Sequence, residues 1–389
     1  MAENKSYDVA VVGSGVFGSW TAYHLQRRGA KVILLDSYGP GNSRASSGGE
    51  SRIMRLGYGR DQIYTDSAHR SLKQWLDLFS NISSSGSENY QYFRRAGMLW
   101  LARDKDDYCE AVLGNLQRVQ ASCERLSRQQ LETRYPQINF GPVSWAVFEN
   151  DSGVIMARRA VGAVVTEAIK LGVTFKQRAV QPPLGETPFN SLRLDNGDII
   201  FADRFIFACG PWLPKLFPTF LNETIQVTKQ EVFFFGTPAG DTLFGQDRFP
   251  AWIDFNDLAY GIPNLDERGF KIASDAHGDT FDPDSGERIV SQAGIMAIRR
   301  YVSDRFPMLA DAPIIETRVC QYENTSSGDF LIDRHPLFDN VWFAGGGSGH
   351  GFKHGPSVGE YISNLLEGGA AEPRFSLSAK ERIPHRQVF

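Results

Sequence analysis

Three glycines, Gly13, Gly15 and Gly18, stand at the spacing G-x-G-x-x-G directly after an apolar run at 7–12. In that place the first two let the backbone turn tightly and approach a pyrophosphate, and the third lets the next helix pack on the strand. Asp36 closes the following run, KVILLD, where a carboxylate accepts both ribose hydroxyls and repels a 2′-phosphate. This favours FAD or NAD over NADP. Alone, the glycine spacing also marks turns in other α/β proteins; strand, spacing, helix and acid together carry the nucleotide reading. The Gly- and Ser-rich loop YGPGNSRASSGGESR brings Arg44 and Arg52, with Arg55 just beyond, and suits contact with something anionic. Cys109, Cys123, Cys209 and Cys320 are scattered, with no C-x-x-C pair and no His at ligand spacing. Neither a disulfide framework nor a metal site is expected, and at most one cysteine is chemically special.

Strand, glycine turn, helix and strand within about thirty residues make the unit of a right-handed parallel crossover. The fold class expected is therefore α/β, a Rossmann-type FAD-binding domain. The stretch NVWFAGGGSGHGFKHGPSVGEYISNLL repeats strand, glycine turn and helix at the far end, so both ends serve that domain. Between them EVFFFGTP, AWIDF, LAYGIP and GFKIASD read as aromatic β segments that could cover a ligand. They imply a discontinuous second α+β domain on a mostly antiparallel sheet. The boundaries expected are 1–88, 150–225 and 312–389 for the FAD-binding domain, and 89–149 with 226–311 for the substrate domain. The run SSSGSEN marks an exposed break between them, and no repeat of fixed period occurs.

Composition excludes several classes. With 42% hydrophobic and 22% charged residues the chain falls in the ordinary globular range. A net charge of −4 offers no field for a phosphate backbone, so nucleic acid is not an expected partner. No stretch nears the ~20 apolar residues of a membrane span. The first residues run straight into strand and turn without a signal-peptide pattern, and the final HRQVF matches neither prenylation nor peroxisomal address, so a cytoplasmic location is expected.

The segments SGGESRIMRLGYG, GFKIASDAHGDTFDPD, TRVCQYENTSSGDFLIDRHP and GGGSGHGFKHGPSVGE occur in order. On them the chain resembles, over nearly its whole length, the family of monomeric sarcosine oxidase and N-methyltryptophan oxidase, among the glycine-oxidase-like and D-amino-acid-oxidase-like flavoproteins. The resemblance implies FAD, held at Gly13, Gly15, Val16, Phe17 and Gly18, at Asp36, Ser37, Ser47 and Arg52, and at Cys209 and Gly210. Toward the C-terminus it adds Gly346, Gly347, Gly349, His350, Gly351 and Lys353. Cys320 would be joined through a thioether to the flavin 8α-carbon, which needs a thiolate. A buried core cysteine is the competing reading.

Arg55 and Lys353 match the family's clamp on a substrate carboxylate, fork plus point charge. Lys271 matches a lysine whose charge stabilises superoxide, which argues for an oxidase. Arg52 falls beside the flavin, with a pyrophosphate or structural role as the alternative. Tyr260 and Tyr322 fall on active-site tyrosines, though core tyrosine is nearly as common. Where the family commonly has histidines the chain has Gly48 and Asp275, and His277 could replace one of them. Gly48 would open volume and Asp275 would place a possible anion near the amine, favouring a larger or more polar substituent.

The activity implied is oxidation of a small carboxylate-bearing secondary amine by a monomer, with O2 as acceptor, hydrogen peroxide as product and no metal. A fructosyl-amino-acid oxidase, a dehydrogenase or demethylase with another acceptor, and a flavoprotein without turnover are the alternatives.

Overall fold

The computed structural model describes residues 6–82, 91–183 and 189–381. The Ser-rich break at 83–89, the boundary at 88/89 and the terminal HRQVF lie outside those residues. Five parallel strands form the centre of a seven-stranded sheet, in the order Phe338–Gly345, Ile199–Phe207, Ser6–Val12, Val32–Asp36 and Thr174–Gln177. Leu331–His335 and Ser191–Arg193 join it antiparallel. Val9, Val11, Val32 and Leu34 enter one apolar cluster and Ala10, Val12, Ile33 and Leu35 another. Both faces are buried, which is why these strands read as continuous apolar runs.

The glycine turn sits between Ser6–Val12 and the helix Val16–Arg27. Gly13 has φ +102°, and a Cβ there would overlap the Ala208 carbonyl. A Cβ at Gly18 would overlap the Gly13 carbonyl, so this position lets the helix close down on the turn. The C-terminal helix Gly355–Leu366 packs on Val16–Arg27, so the two ends of the chain meet as expected.

The second sheet has eight strands, in the order Ile314–Thr325, Ile225–Phe235, Phe270–Ser274, Ala259–Ile262, Ala251–Asp254, Met98–Ala102, Trp145–Glu149 and Cys123–Ser127. Its pairs are antiparallel except Ala251–Asp254 with Met98–Ala102. The α/β class with a largely antiparallel second sheet is thus the fold observed. Ile314–Thr325 pairs along Ile225–Phe235, and the chain re-enters the parallel sheet only at Leu331–His335. The return placed at residue 312 therefore falls too early. That strand's partner lies some ninety residues upstream, so no local pattern announces the pairing.

Alternation sorts the eight-stranded sheet. Leu99, Phe233, Phe235, Trp252, Phe270 and Ile272 form a core with residues of the helix Gln292–Arg305. Cross-strand partners share a face. The pairs Ile253 with Tyr260, Tyr260 with Ala273 and Ile262 with Lys271, together with Gln230 with Cys320 and Thr228 with Tyr322, put Tyr260, Lys271, Cys320 and Tyr322 on the opposite face. A small sheet of Arg52–Met54, Gly153–Ile155 and Phe93–Arg94 fixes the arginine-bearing loop. Among the described residues no helix is long and apolar enough to cross a membrane.

Candidate active site

A cleft of about 1600 Å³, counted out to its open mouth, lies at the carboxyl ends of the parallel strands. That is where open α/β sheets bind nucleotides. Gly13, Gly15, Val16 and Phe17 line it at the helix N-terminus, and Asp36 and Ser37 at the next strand end. Across it stand Ser47, Cys209 and Gly210, and Gly347, Gly349 and Gly351 close the C-terminal side. The Ser47 hydroxyl accepts the Val16 N–H at 3.1 Å. The Asp36 carboxylate accepts the N–H groups of Ser14 at 2.7 Å and of Tyr38 and Gly39 at 2.8 Å, so it organises the turn as well as facing the cleft. Gly18 and Gly346 serve the turns without lining the cleft. Burial pushes the Cys209 thiol well up, which makes it an inert wall.

Two polar atoms on this wall are buried without a hydrogen-bond partner among the described residues, the Ser46 hydroxyl and Glu323 Oε2. Burial pushes Glu323 up to about 7, against the pull of the Gly347 and Gly346 N–H groups. Orphaned polar groups facing a glycine-lined cleft fit a long, hydroxyl-bearing dinucleotide such as FAD. Glu323 was not singled out from sequence; an acid inside a buried strand was its signal.

At the other end Arg52 and Tyr322 line the cleft and lead to a second group of buried residues. The Arg52 guanidinium donates to the Ser51 carbonyl at 2.8 Å, to the Ser46 carbonyl, and to Cys320 Sγ at 3.4 Å. A fixed cation thus stands against the sulfur. Lys271 Nζ donates to the Ser51 carbonyl at 3.1 Å. Burial and then Arg52 hold Lys271 down to about 7. Tyr260 and Tyr322 lie within electrostatic reach of each other; burial pushes Tyr260 up to about 12 and raises Tyr322 well above the usual tyrosine range.

Arg55 is buried, donates to the Gly57 carbonyl at 2.5 Å, and lies 4.1 Å over the Tyr58 ring and 5.0 Å from that of Trp100. Glu149 pins its loop: the carboxylate accepts the N–H groups of Leu56 at 2.8 Å and Gly57 at 2.9 Å, Trp100 Nε1–H at 2.7 Å, and the Ser152 hydroxyl. Truncation by Glu149→Ala strands several buried donors and is expected to cost about 3 kcal/mol. Urea titration checks this; a loss under about 1 kcal/mol would contradict it.

Lys353, in the turn Gly351–His354, is buried and donates to the Tyr58 hydroxyl and the His350 carbonyl, each at 2.9 Å. Trp75 Nε1–H holds the Lys353 carbonyl at 3.1 Å. Burial, then Arg55, press Lys353 well below the usual lysine range, with Asp275 and Glu149 opposing. Asp275 is itself buried and pushed up to about 7 by burial, with Arg55 and Lys353 pulling it down. Tyr108, also missed from sequence, has a buried hydroxyl without a partner among the described residues and lies within electrostatic reach of Arg55 and Asp275.

Two expectations are corrected. A Cβ at Gly48 would overlap the Asn42 carbonyl, so this glycine permits two stretches of backbone to touch and opens no room for substrate. His350 does not line the cleft; its ring is stacked on Phe330 at 5.1 Å with Nε2 3.0 Å from the Gly328 carbonyl. His277 is only half-buried, while Asp275 is buried.

Comparison with known proteins agrees with this arrangement. Residues 8–365 match the family described as FAD dependent oxidoreductase. The chain is 28% identical to human peroxisomal sarcosine oxidase, over 94% of this chain and 93% of that protein. It is 29% identical to the monomeric sarcosine oxidase of Streptomyces avermitilis, over 95% and 96%. The solved fructosamine oxidase of Aspergillus fumigatus, Amadoriase II, superposes with a TM-score of 0.78 at 22% identity, over 97% of this chain and 90% of that one, and so shares its fold. With a matched family spanning nearly the whole chain and a cleft built for its cofactor, this protein belongs to the FAD-dependent oxidoreductases.

Proposed function

We propose that the chain is an oxidase of a carboxylate-bearing secondary amine, with FAD tethered at Cys320 and oxygen reduced to hydrogen peroxide. The observation that carries this is the pair of buried basic side chains, Arg55 and Lys353, close to the face that presents Lys271, Tyr260, Tyr322 and Cys320. A guanidinium and an amine buried side by side suit a ligand that brings a carboxylate to them. The similarity to sarcosine oxidases supports the same substrate class.

When bound, the flavin supplies acceptance of a hydride equivalent from the carbon next to the substrate nitrogen. The chain does the rest. Arg55 and Lys353 fix the carboxylate and so the adjacent carbon. Tyr260 and Tyr322 wall the site and orient the amine. The C–N bond becomes C=N, and water then splits the imine into aldehyde and amine. Oxygen takes the two electrons with two protons near Lys271.

A second substrate class, fructosyl amino acids, is favoured by one observation. Asp275 and the Tyr108 hydroxyl, which has no partner among the described residues, offer polar contacts to a hydroxylated substituent. Peroxide release measured against sarcosine, N-methyl amino acids, pipecolate, proline and fructosyl-glycine, each beside its carboxylate-free counterpart, separates the two. Turnover of one acid with its counterpart inert supports the proposal; equal turnover of the counterparts would sink it.

Asp275 also sets a pH dependence. Its pushed-up value means it gains charge as pH rises through about 7, placing an anion beside the clamp. Inhibition by a simple carboxylate should weaken over that range and flatten in Asp275→Asn. Unchanged pH dependence in that variant would assign the effect elsewhere.

A further inference from the structure

Lys353 is only 5% exposed, yet its charge must be settled each time a carboxylate enters or leaves. Arg55 bears on it as a like charge, Asp275 and Glu149 as opposite charges, and His350, His354 and Tyr58 pack around it. An arriving carboxylate shifts that balance toward the ammonium form.

A hydrogen-bonded chain leads outward from Lys353. Its Nζ is 2.9 Å from the Tyr58 hydroxyl, which is 2.7 Å from His354 Nε2. His354 Nδ1 is 2.9 Å from the hydroxyl of Ser67, a half-buried residue in the first turns of the helix Gln62–Ile82. A branch from Tyr58 to His350 Nδ1, at 3.2 Å, ends at the Gly328 carbonyl, which only accepts. That carbonyl fixes the proton on His350 Nε2, so the branch passes nothing on. His354 differs, because both of its ring nitrogens face hydroxyls that can give or take a proton.

We propose that Tyr58, His354 and Ser67 form a proton route between solvent and Lys353, used when a carboxylate ligand binds and again when it leaves. It rests on the carboxylate-clamp role of Lys353. On binding, the Tyr58 proton moves to the Lys353 amine, the His354 Nε2 proton replaces it, and the Ser67 proton moves to His354 Nδ1. Water then resupplies Ser67. One proton leaves solvent and one appears on Nζ, and His354 is left in the other tautomer until departure of the ligand runs the steps backward. Burial, Lys353, His350, Arg55 and Arg70 all hold His354 neutral, so it passes a proton instead of storing one. Tyr58, His354 and Ser67 act through Lys353 and are positioning residues.

The test mixes holoenzyme rapidly with acetate, a carboxylate with no amine to oxidise, in weak buffer with a pH indicator. Flavin absorbance reports binding and the dye reports proton uptake. In the wild type, uptake should keep step with the flavin change. His354→Gln keeps hydrogen-bonding atoms but cannot switch tautomer, and Ser67→Ala cuts the route at its half-buried end where folding is least at risk. In both, the flavin change should persist while proton uptake lags by about tenfold or more. Uptake in step with binding in both variants, or no uptake by the wild type, would overturn the route. Absence of any acetate-induced flavin change would instead overturn the clamp, and the route with it.

Discussion

Purified Cys320→Ser should give a colourless pellet and a yellow supernatant on acid precipitation, where the wild type gives a yellow pellet. The thiol stands on the sheet face that also carries Lys271 and Tyr322, and Arg52 donates to its sulfur at 3.4 Å. Attack on carbon is made by the sulfur as its anion, and the guanidinium is a fixed positive charge beside that atom. Serine keeps the size of the side chain and lacks a comparably nucleophilic anion. The glycine turn, Asp36 and Glu323 remain, so the variant should still bind FAD, now dissociably. Yellow pellets from Cys320→Ser would place the tether on another residue.

Lys271→Met should slow reaction with oxygen on the order of a hundredfold or more, because one preorganised positive charge is removed from a water-poor site. Anaerobic flavin reduction by substrate should change far less, since the carboxylate clamp is untouched. The charge itself can be titrated. Lys271 is held down to about 7 by burial and Arg52, so the ammonium predominates below that pH and is lost above it. The oxygen rate of the wild type should therefore fall as pH rises through about 7, and the Met variant should show no such fall. Stopped-flow reoxidation measures both. Equal slowing of the reductive half-reaction would mean that Lys271 shapes the substrate site instead.

Much of this was legible in the sequence because local pattern carries it. The glycine spacing, the buried apolar strands and the closing Asp36 are set by a turn and two strands close in the chain. The aromatic, β-favouring content of EVFFFGTP and GFKIASD likewise pointed to the second sheet, since such side chains suit a pleated, half-buried surface. What escaped depends on distant pairings. Tyr58 meets His354 across 296 positions, and Glu149 holds Leu56 across 93. Neither tyrosine nor glutamate has a spacing that announces such a partner. Glu323 becomes a cleft residue only because Ile314–Thr325 joins the larger sheet, a pairing with Ile225–Phe235 that no neighbouring residue signals. Gly48 shows the reverse error: a missing side chain was read as space, whereas the Asn42 carbonyl occupies it.

The most direct measurement is a single anaerobic mixing of the holoenzyme with the best secondary amino acid of the panel, followed by admission of air. Oxidation of a carboxylate-bearing amine at an oxygen-reactive flavin predicts bleaching of the flavin band without oxygen. In air, the colour should return with one equivalent of hydrogen peroxide per flavin. Bleaching that persists in air would contradict the oxidase and point to a dehydrogenase, and a flavin that never bleaches with any member of the panel would contradict the substrate class.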